Sequence, residues 1–522
     1  MKSGFFSFFK IIYAIIFSII ITILLLSDDI LYFCKKEFIL SNGAIFCIVL
    51  MILLGCVSFY YCVKTNNQLL KNGSAVNIDK VVLVGTVILF FGQSYVFYNA
   101  FSLSGWDTGL VRLFVDTTMT GGDMTSINDY FSTYPNNLLI SYLYLFTLKI
   151  NSAIGIFNGI YSYMCIVILN CIINSLSCWL SYKTAKIFIS PIFALVAYIL
   201  CIFSVGISGW SVVCYSDSLA LFLPILSIYL YCRQYKNKKM QTFGFISSVF
   251  LSAIGYFIKP QCLFVVIAIV ILEVWKLLIN FSFKKLFRPI VLCLVVVLTF
   301  SFINIGLEHL NKKYNVQIDE EKTFGISHFL MMGANEETNG VYALEDVVFS
   351  STFDSAEKRK EANINVFKER VVSMKGGLIT HLIKKMLTTF NDGTFAWGGE
   401  GTFFLETPDN INNKMAPFLK SIYHFGDRSS YFATFQHLVW FFILLSSLLT
   451  VFSKKKNYDQ SKLSLFWIVL LGFVLYEMLF EARARYIYIF VPLFCTLASI
   501  GVRNISVLAR DAIHCIKNKL KG

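Results

Sequence analysis

The chain predicts an all-α polytopic membrane protein with about twelve transmembrane helices, outer interfacial helices and a mixed extracytoplasmic insertion. Three observations lead there. Apolar and aromatic residues make up 57% of the 522 positions and charged residues only 15%, so a soluble core could not hide the apolar surface. Mean hydropathy is +0.67, and runs long enough to cross ~30 Å of hydrocarbon recur along the whole chain. Basic residues gather in alternate loops, which assigns the net charge of +14 to topology and excludes nucleic acid as the partner.

The expected spans are 11–27, 39–63, 81–103, 155–181, 187–207, 211–232, 241–258, 261–279, 289–306, 432–452, 463–480 and 486–503. Each must be helical, because backbone polar groups facing lipid find no water. Ser27-Asp28-Asp29 follows the first run without a small-x-small cleavage site, so that run reads as a retained span. With the N-terminus inside, the cytoplasmic segments hold 24 basic residues against four acidic ones, including Lys71, Arg233, Lys238, Lys455 and Arg510. Both termini are therefore expected in the cytoplasm, and the protein in the cell membrane. Residues 136–150 are apolar but short; as a span they would invert every later loop. They read as an interfacial or re-entrant outer helix.

The chain divides into two N-terminal helices over 1–80, a membrane core over 81–306 with a first outer loop at 104–154, an extracytoplasmic unit over 307–430, and last spans plus a basic tail over 431–522. At 124 residues, 307–430 is too long for a bare connection and should fold, with a helix across 356–390 between the turns Gly333–Glu336 and Asn391–Thr394. Four of the six histidines fall there without metal-like spacing. The 14 cysteines lie almost all in spans and behave as small apolar residues.

Unusual polar residues gather on the outer side. Asp107 follows a span almost directly, beside Trp106; a carboxylate at the mouth of a bundle is placed to act as general base. Asp116 and Asp123 read as solvated loop carboxylates. Asp217 lies about two turns into an apolar run, where burial alone costs at least ~2.5 kcal/mol, so it needs a partner or a cavity. Lys259 in a tight hairpin, with Arg483 and Arg485 before the last span, runs against the positive-inside bias. A lipid phosphate would account for all three, Arg offering a fork and Lys a point charge. In a regular helix the two arginines point about 200° apart, so one ligand reaches both only if the backbone is broken.

In this order, Gly105-Trp106-Asp107, Tyr134-Pro135, Tyr215-Ser216-Asp217, Lys259-Pro260 and Arg485-Tyr486 resemble the GT-C superfamily of membrane glycosyltransferases, in the branch similar to protein mannosyltransferases and aminoarabinose transferases. Met331–Asn335 and Asn391–Phe395 look like bacterial members of the group. The resemblance covers roughly 80–510. Two spans precede the one usually first, Asn-Asn stands after Tyr134-Pro135 where Pro-Leu is common, and Asp217 stands where Glu is common.

The resemblance implies transfer of a sugar from a polyprenyl-phosphate donor to an extracytoplasmic glycan, teichoic acid, lipid or protein, with inversion. Asp107 carries over as base; Lys259, Arg483 and Arg485 bind the donor phosphate; Asp217, Tyr134 and Tyr486 contact substrate. No cofactor is expected, although some members use a divalent metal that Asp107 and Asp217 could serve. The competing reading is a lipid or sugar flippase or transporter. That class favours charges at the midplane and two similar halves; here the ionic residues lie at one face and no internal repeat is evident.

Overall fold

The computed structural model describes residues 2–27, 38–65, 77–279, 281–400, 404–406, 414–452 and 459–519. Asp28, Asp29, Lys71 and Lys454–Lys456 lie outside them.

In chain order the principal helices are α1 (Lys2–Leu26), α2 (Asn42–Thr65), α3 (Ile78–Asn99), α4 (Trp106–Thr120), α5 (Thr125–Thr133), α6 (Leu138–Ile154), α7 (Met164–Ala185), α8 (Pro191–Cys201), α9 (Phe222–Cys232), α10 (Lys238–Tyr256), α11 (Leu263–Ile279) and α12 (Phe283–Lys313). Then follow α13 (Ile326–Gly333), α14 (Leu344–Ser351), α15 (Ala356–Met374), α16 (Leu378–Phe390), α17 (Met415–Tyr423), α18 (Ser429–Leu448), α19 (Gln460–Leu479) and α20 (Val491–Lys519). Their starts carry the expected polar caps. Asn77 accepts from the Lys80 amide, Asn237 from Met240 and Asp459 from Ser461, each satisfying an otherwise orphaned helix donor. Gly121 and Gly155 end α4 and α6 with φ of 74° and 75°, a left-handed turn that glycine adopts without strain.

Among the described residues, eight helices are long and apolar enough to cross a membrane, and three shorter apolar ones cover Asn42–Ser58, Pro191–Gly206 and Ser216–Cys232. Among the described residues, the twelve expected runs are thus met by eight continuous spans and by shorter or interrupted helices. α8 stops at Cys201, passes into a π-turn over Ile202–Gly206 and a short 3-10 turn at Gly209–Ser211, and helix resumes at Ser216. The last span starts late, because Ala484–Phe490 is 3-10 before α20 begins. Hydropathy counts apolar residues and is blind to such breaks.

α6 bears on the outer placement of 136–150. Asn137 at its start bonds Tyr215, while Asn151 near its end holds the Phe157 amide and carbonyl. Tyr142 between them donates to Asn311, close to the end of α12. The helix thus lies along one end of the bundle.

The insertion departs from the mixed unit anticipated over 307–430. Among the described residues its regular structure is helical, apart from Phe404–Glu406, which pairs antiparallel with Leu103–Ser104. Its later part packs into the bundle. α12 runs on to Lys313, and Phe390, Phe395 and Trp397 are buried in the same core as Trp440 and Phe494. The expected 356–390 helix breaks at Lys375–Gly377 into α15 and α16.

The core is closed by small residues where helices meet. A Cβ on Gly501 of α20 would collide with the Ser446 carbonyl of α18, whereas one on Gly306 of α12 would meet nothing within 4 Å. Close approach through small residues is how helices gain packing contacts in lipid. Gly501→Leu is expected to cost about 1–3 kcal/mol and to lower the apparent melting temperature in detergent by several degrees. Gly306→Leu should leave it unchanged; equal melting of the two variants would show that this crossing is not tight.

Candidate functional site

The residues singled out along the sequence converge at one end of the bundle. They form two adjoining groups, an acid held by tyrosines and a buried ionic cluster.

The acid is Asp107 in the first turn of α4, half-buried. Its Oδ1 accepts the Tyr130 hydroxyl at 2.9 Å and its Oδ2 the Tyr215 hydroxyl at 3.1 Å. Tyr215 also lies 3.0 Å from Asn137 Oδ1, and Asn137 Nδ2 donates to Tyr130 at 2.6 Å, closing the ring of bonds. Burial, with the Asp107 charge adding, pushes the Tyr130 and Tyr134 phenols well above their ordinary value, so they remain donors. Asp107 follows a strained residue: Trp106 has φ +42°, a conformation that costs of order 1–3 kcal/mol.

The ionic cluster comprises Asp217, Lys259, Glu400, Glu481, Arg483 and Arg485, all buried except the half-buried Arg483. Lys259 Nζ is 2.6 Å from Asp217 Oδ1, and Arg485 Nε is 3.7 Å from Oδ2. Glu400 spans both arginines, with Oε1 3.2 Å from Arg483 and Oε2 2.9 Å from Arg485. Glu481 takes Arg483 Nε at 2.7 Å and the Tyr486 hydroxyl at 2.8 Å. Burial alone would raise the Glu481 carboxyl, but Arg483 and the Tyr486 hydroxyl hold it below its usual value. Burial pulls Lys259 down, against the opposing charge of Asp217.

The two arginines reach one carboxylate because the chain is not helical there. Arg483 is extended (φ −149°, ψ 140°), and the 3-10 turn starts only at Ala484. Lys385 of α16 builds this departure. Its fully buried ammonium donates to the carbonyls of Met478 (3.1 Å) and Phe480 (2.7 Å), capping α19, and to Gly333 (2.8 Å). Burial lowers its pKa to about 8. The Ala482 amide then binds the Gly340 carbonyl at 2.9 Å. Glu477 completes the loop by accepting the Arg483 amide at 3.2 Å and the Thr389 hydroxyl at 3.0 Å.

Glu400 is delivered by a second irregular stretch. Asp392 accepts from the Thr394 amide, the Thr394 hydroxyl and the Ala396 amide, each within 2.8 Å, which folds 392–396 into a side-chain-held turn. Phe395 and Ala396 there have φ of +57° and +63°. Trp210 Nε1 donates to the Phe395 carbonyl at 2.9 Å, and Gly209 lies flush on the Trp397 ring, where any Cβ would clash.

Aromatic rings join the two groups. The Arg485 guanidinium carbon sits 4.5 Å from the Trp106 ring centre and 5.4 Å from that of Tyr215, the residue that bonds Asp107. Lys259 Nζ lies 4.0 Å from the Tyr486 ring. Tyr134 packs against Tyr130 and lies within electrostatic reach of both Asp107 and Arg483.

Every residue singled out in the sequence is therefore near this end: Asp107, Tyr134, Asp217, Lys259, Arg483, Arg485 and Tyr486. Reasoning from sequence missed Glu400, Glu481, Glu477, Lys385, Tyr130 and Asn137. A count would have exposed the gap, since three buried cations with Asp217 alone leave uncompensated charge. Nothing in the local sequence of Glu400 marks it out.

Among known proteins, a family model described as "Conserved hypothetical integral membrane protein" matches residues 3–506. No curated protein and no solved structure matches the chain. With the match running through nearly the whole sequence, the protein is a member of that conserved hypothetical integral membrane family.

Proposed function

We propose that the protein is a membrane glycosyltransferase that moves a sugar from a polyprenyl-phosphate carrier onto an extracytoplasmic hydroxyl, with inversion. One observation supports the reading above others. Asp107 and Arg485, from opposite ends of the sequence, meet through Tyr215, whose hydroxyl reaches the carboxylate and whose ring lies beside the guanidinium. A general base thus adjoins a group of cations, the pair of requirements that this chemistry imposes.

In the reaction, Asp107 takes the proton of the acceptor hydroxyl as the acceptor oxygen bonds to the anomeric carbon. The bond from that carbon to the carrier phosphate breaks, and its electron pair stays on the phosphate oxygen. Tyr130 and Tyr215 use two of the roughly four acceptor sites of a carboxylate, fixing Asp107 while leaving it able to accept a proton. Arg485, with Arg483 and Lys259, offsets the charge growing on the departing phosphate. Asp217 now serves chiefly to hold Lys259 and Arg485, and Tyr486 to back Lys259 and orient Glu481. The acceptor is a surface glycan, teichoic acid, lipid or protein, reached from outside the cell.

Asp107→Asn keeps the shape of the side chain and should insert and melt like the parent protein. In a strain lacking the protein, complementation with Asp107→Asn should reduce the glycan product at least ~100-fold. Full restoration of the product by this variant would remove Asp107 from the role of base.

Arg485→Ala strands Asp217 and Glu400 and should destabilise the protein by about 3–5 kcal/mol. Arg485→Lys keeps the charge and the fold but loses the fork and the stacking, so retention of a polyprenyl-phosphate sugar should weaken at least ~10-fold. Unchanged donor binding by Arg485→Lys would exclude Arg485 as a phosphate ligand.

A further inference from the structure

A second polar feature lies one helical turn from Asp107 and takes no part in the chemistry above. A cleft with an enclosed volume of about 30 Å³ opens beside α4, and among its walls are Ser102, Thr108, Arg112, Tyr144, Tyr163 and Cys214. That volume holds about two waters or a single functional group, and is too small for a sugar ring. Most of its polar groups are already spent. The Thr108 hydroxyl donates to the Gly105 carbonyl at 2.7 Å, Tyr144 donates to the Cys214 carbonyl, and Tyr163 donates to Asp116 Oδ1 at 2.5 Å.

Two donors remain. Ser102 is 3% exposed and its Oγ has no hydrogen-bond partner among the described residues, a state that costs about 1–3 kcal/mol if nothing satisfies it. Arg112 is half-buried and no carboxylate lies within 4 Å of it among the described residues. The nearest acid along α4, Asp116, is tied to Tyr163. The Tyr163 ring lies 5.9 Å from the Arg112 guanidinium carbon, so one side of the planar fork is covered. A serine and an arginine lining one small cleft, neither side chain with an acceptor among the described residues, suit a ligand made of acceptor oxygens.

We propose that this cleft is a binding site for a small oxyanionic group, a phosphate or carboxylate, with Arg112 as its fork and Ser102 as its second donor. The site is separate from the ionic cluster, where each cation already has a carboxylate. Two of the segments that line it border the catalytic group, Thr108 following Asp107 and Cys214 preceding Tyr215. A molecule anchored there by an anionic group would extend toward Asp107.

Binding can be read on the full chain in detergent, by thermal unfolding and calorimetry with glycerol 3-phosphate, glycerate and glycerol at matched ionic strength. Glycerol 3-phosphate or glycerate is expected to bind and raise the melting temperature while glycerol does not, and which anion binds tells phosphate from carboxylate. Arg112→Gln should weaken that binding at least tenfold and Ser102→Ala severalfold, with Asp107→Asn unaffected and both cleft variants folded. Equal binding by Arg112→Gln, equal shifts with glycerol, or no anion binding to the parent protein would overturn the assignment.

Discussion

Glu400 bridging Arg483 and Arg485 is the contact on which the arrangement at this end of the bundle depends. Two guanidinium groups at short range repel, and in a water-poor site that repulsion is screened little. A single carboxylate offering one oxygen to each makes the pair tolerable and fixes their spacing. Asp217 does the same for Lys259 and Arg485, and Glu481 for Arg483. The cluster is thus a chain of alternating charge drawn from four distant segments. Removing one member leaves a neighbour buried and unpaired, which is why it binds the segments together more than any single pair is worth.

Such a cluster requires backbone that a plain helix does not supply. Helical side chains two apart diverge, so α19 has to end before Arg483, and ending a helix inside protein exposes carbonyls. Lys385 resolves this by donating to Met478 and Phe480. On the other side, Phe395 and Ala396 adopt positive φ so that the turn before Glu400 aims inward. Trp106 is strained beside Asp107 in the same way. Irregular backbone is tolerated at membrane depth only where protein surrounds it, and three of the seven non-glycine residues with positive φ among the described ones, Trp106, Phe395 and Ala396, stand in the stretches that carry Asp107 and Glu400.

Much of this was legible in the sequence, for definite reasons. A charge in an apolar run is costly, so Asp217, Lys259, Arg483 and Arg485 announce themselves by position alone. The geometric objection to the arginine pair was also legible, and the extended backbone at Arg483 answers it. Glu400 and Lys385 were not, because they sit in a segment of ordinary polarity that reads as a soluble insertion. Their burial comes from Phe390, Phe395 and Trp397 packing into the bundle, a long-range event that no local window contains. The breaks within spans were hidden for a related reason. Hydropathy averages over the π-turn at Ile202–Gly206 and the 3-10 stretch at Ala484–Phe490, yet those breaks are what bring Tyr215 and Arg485 to the site.

Charge balance has a consequence for any anion that enters. The cations Lys259, Arg483 and Arg485 face the carboxylates Asp217, Glu400 and Glu481, three against three. A phosphate can add to this set only by sharing a cation with a carboxylate or by moving one aside. Glu481 is the least able to yield, held by Arg483 and Tyr486 together. Asp217 is locked to Lys259 at short range. Glu400 differs from both in that its ion pairs among the described residues are with arginines, and both of its oxygens lie on the forks that suit a phosphate best. Under the proposed function, Glu400 is therefore the carboxylate whose place between the two arginine forks a donor phosphate would take.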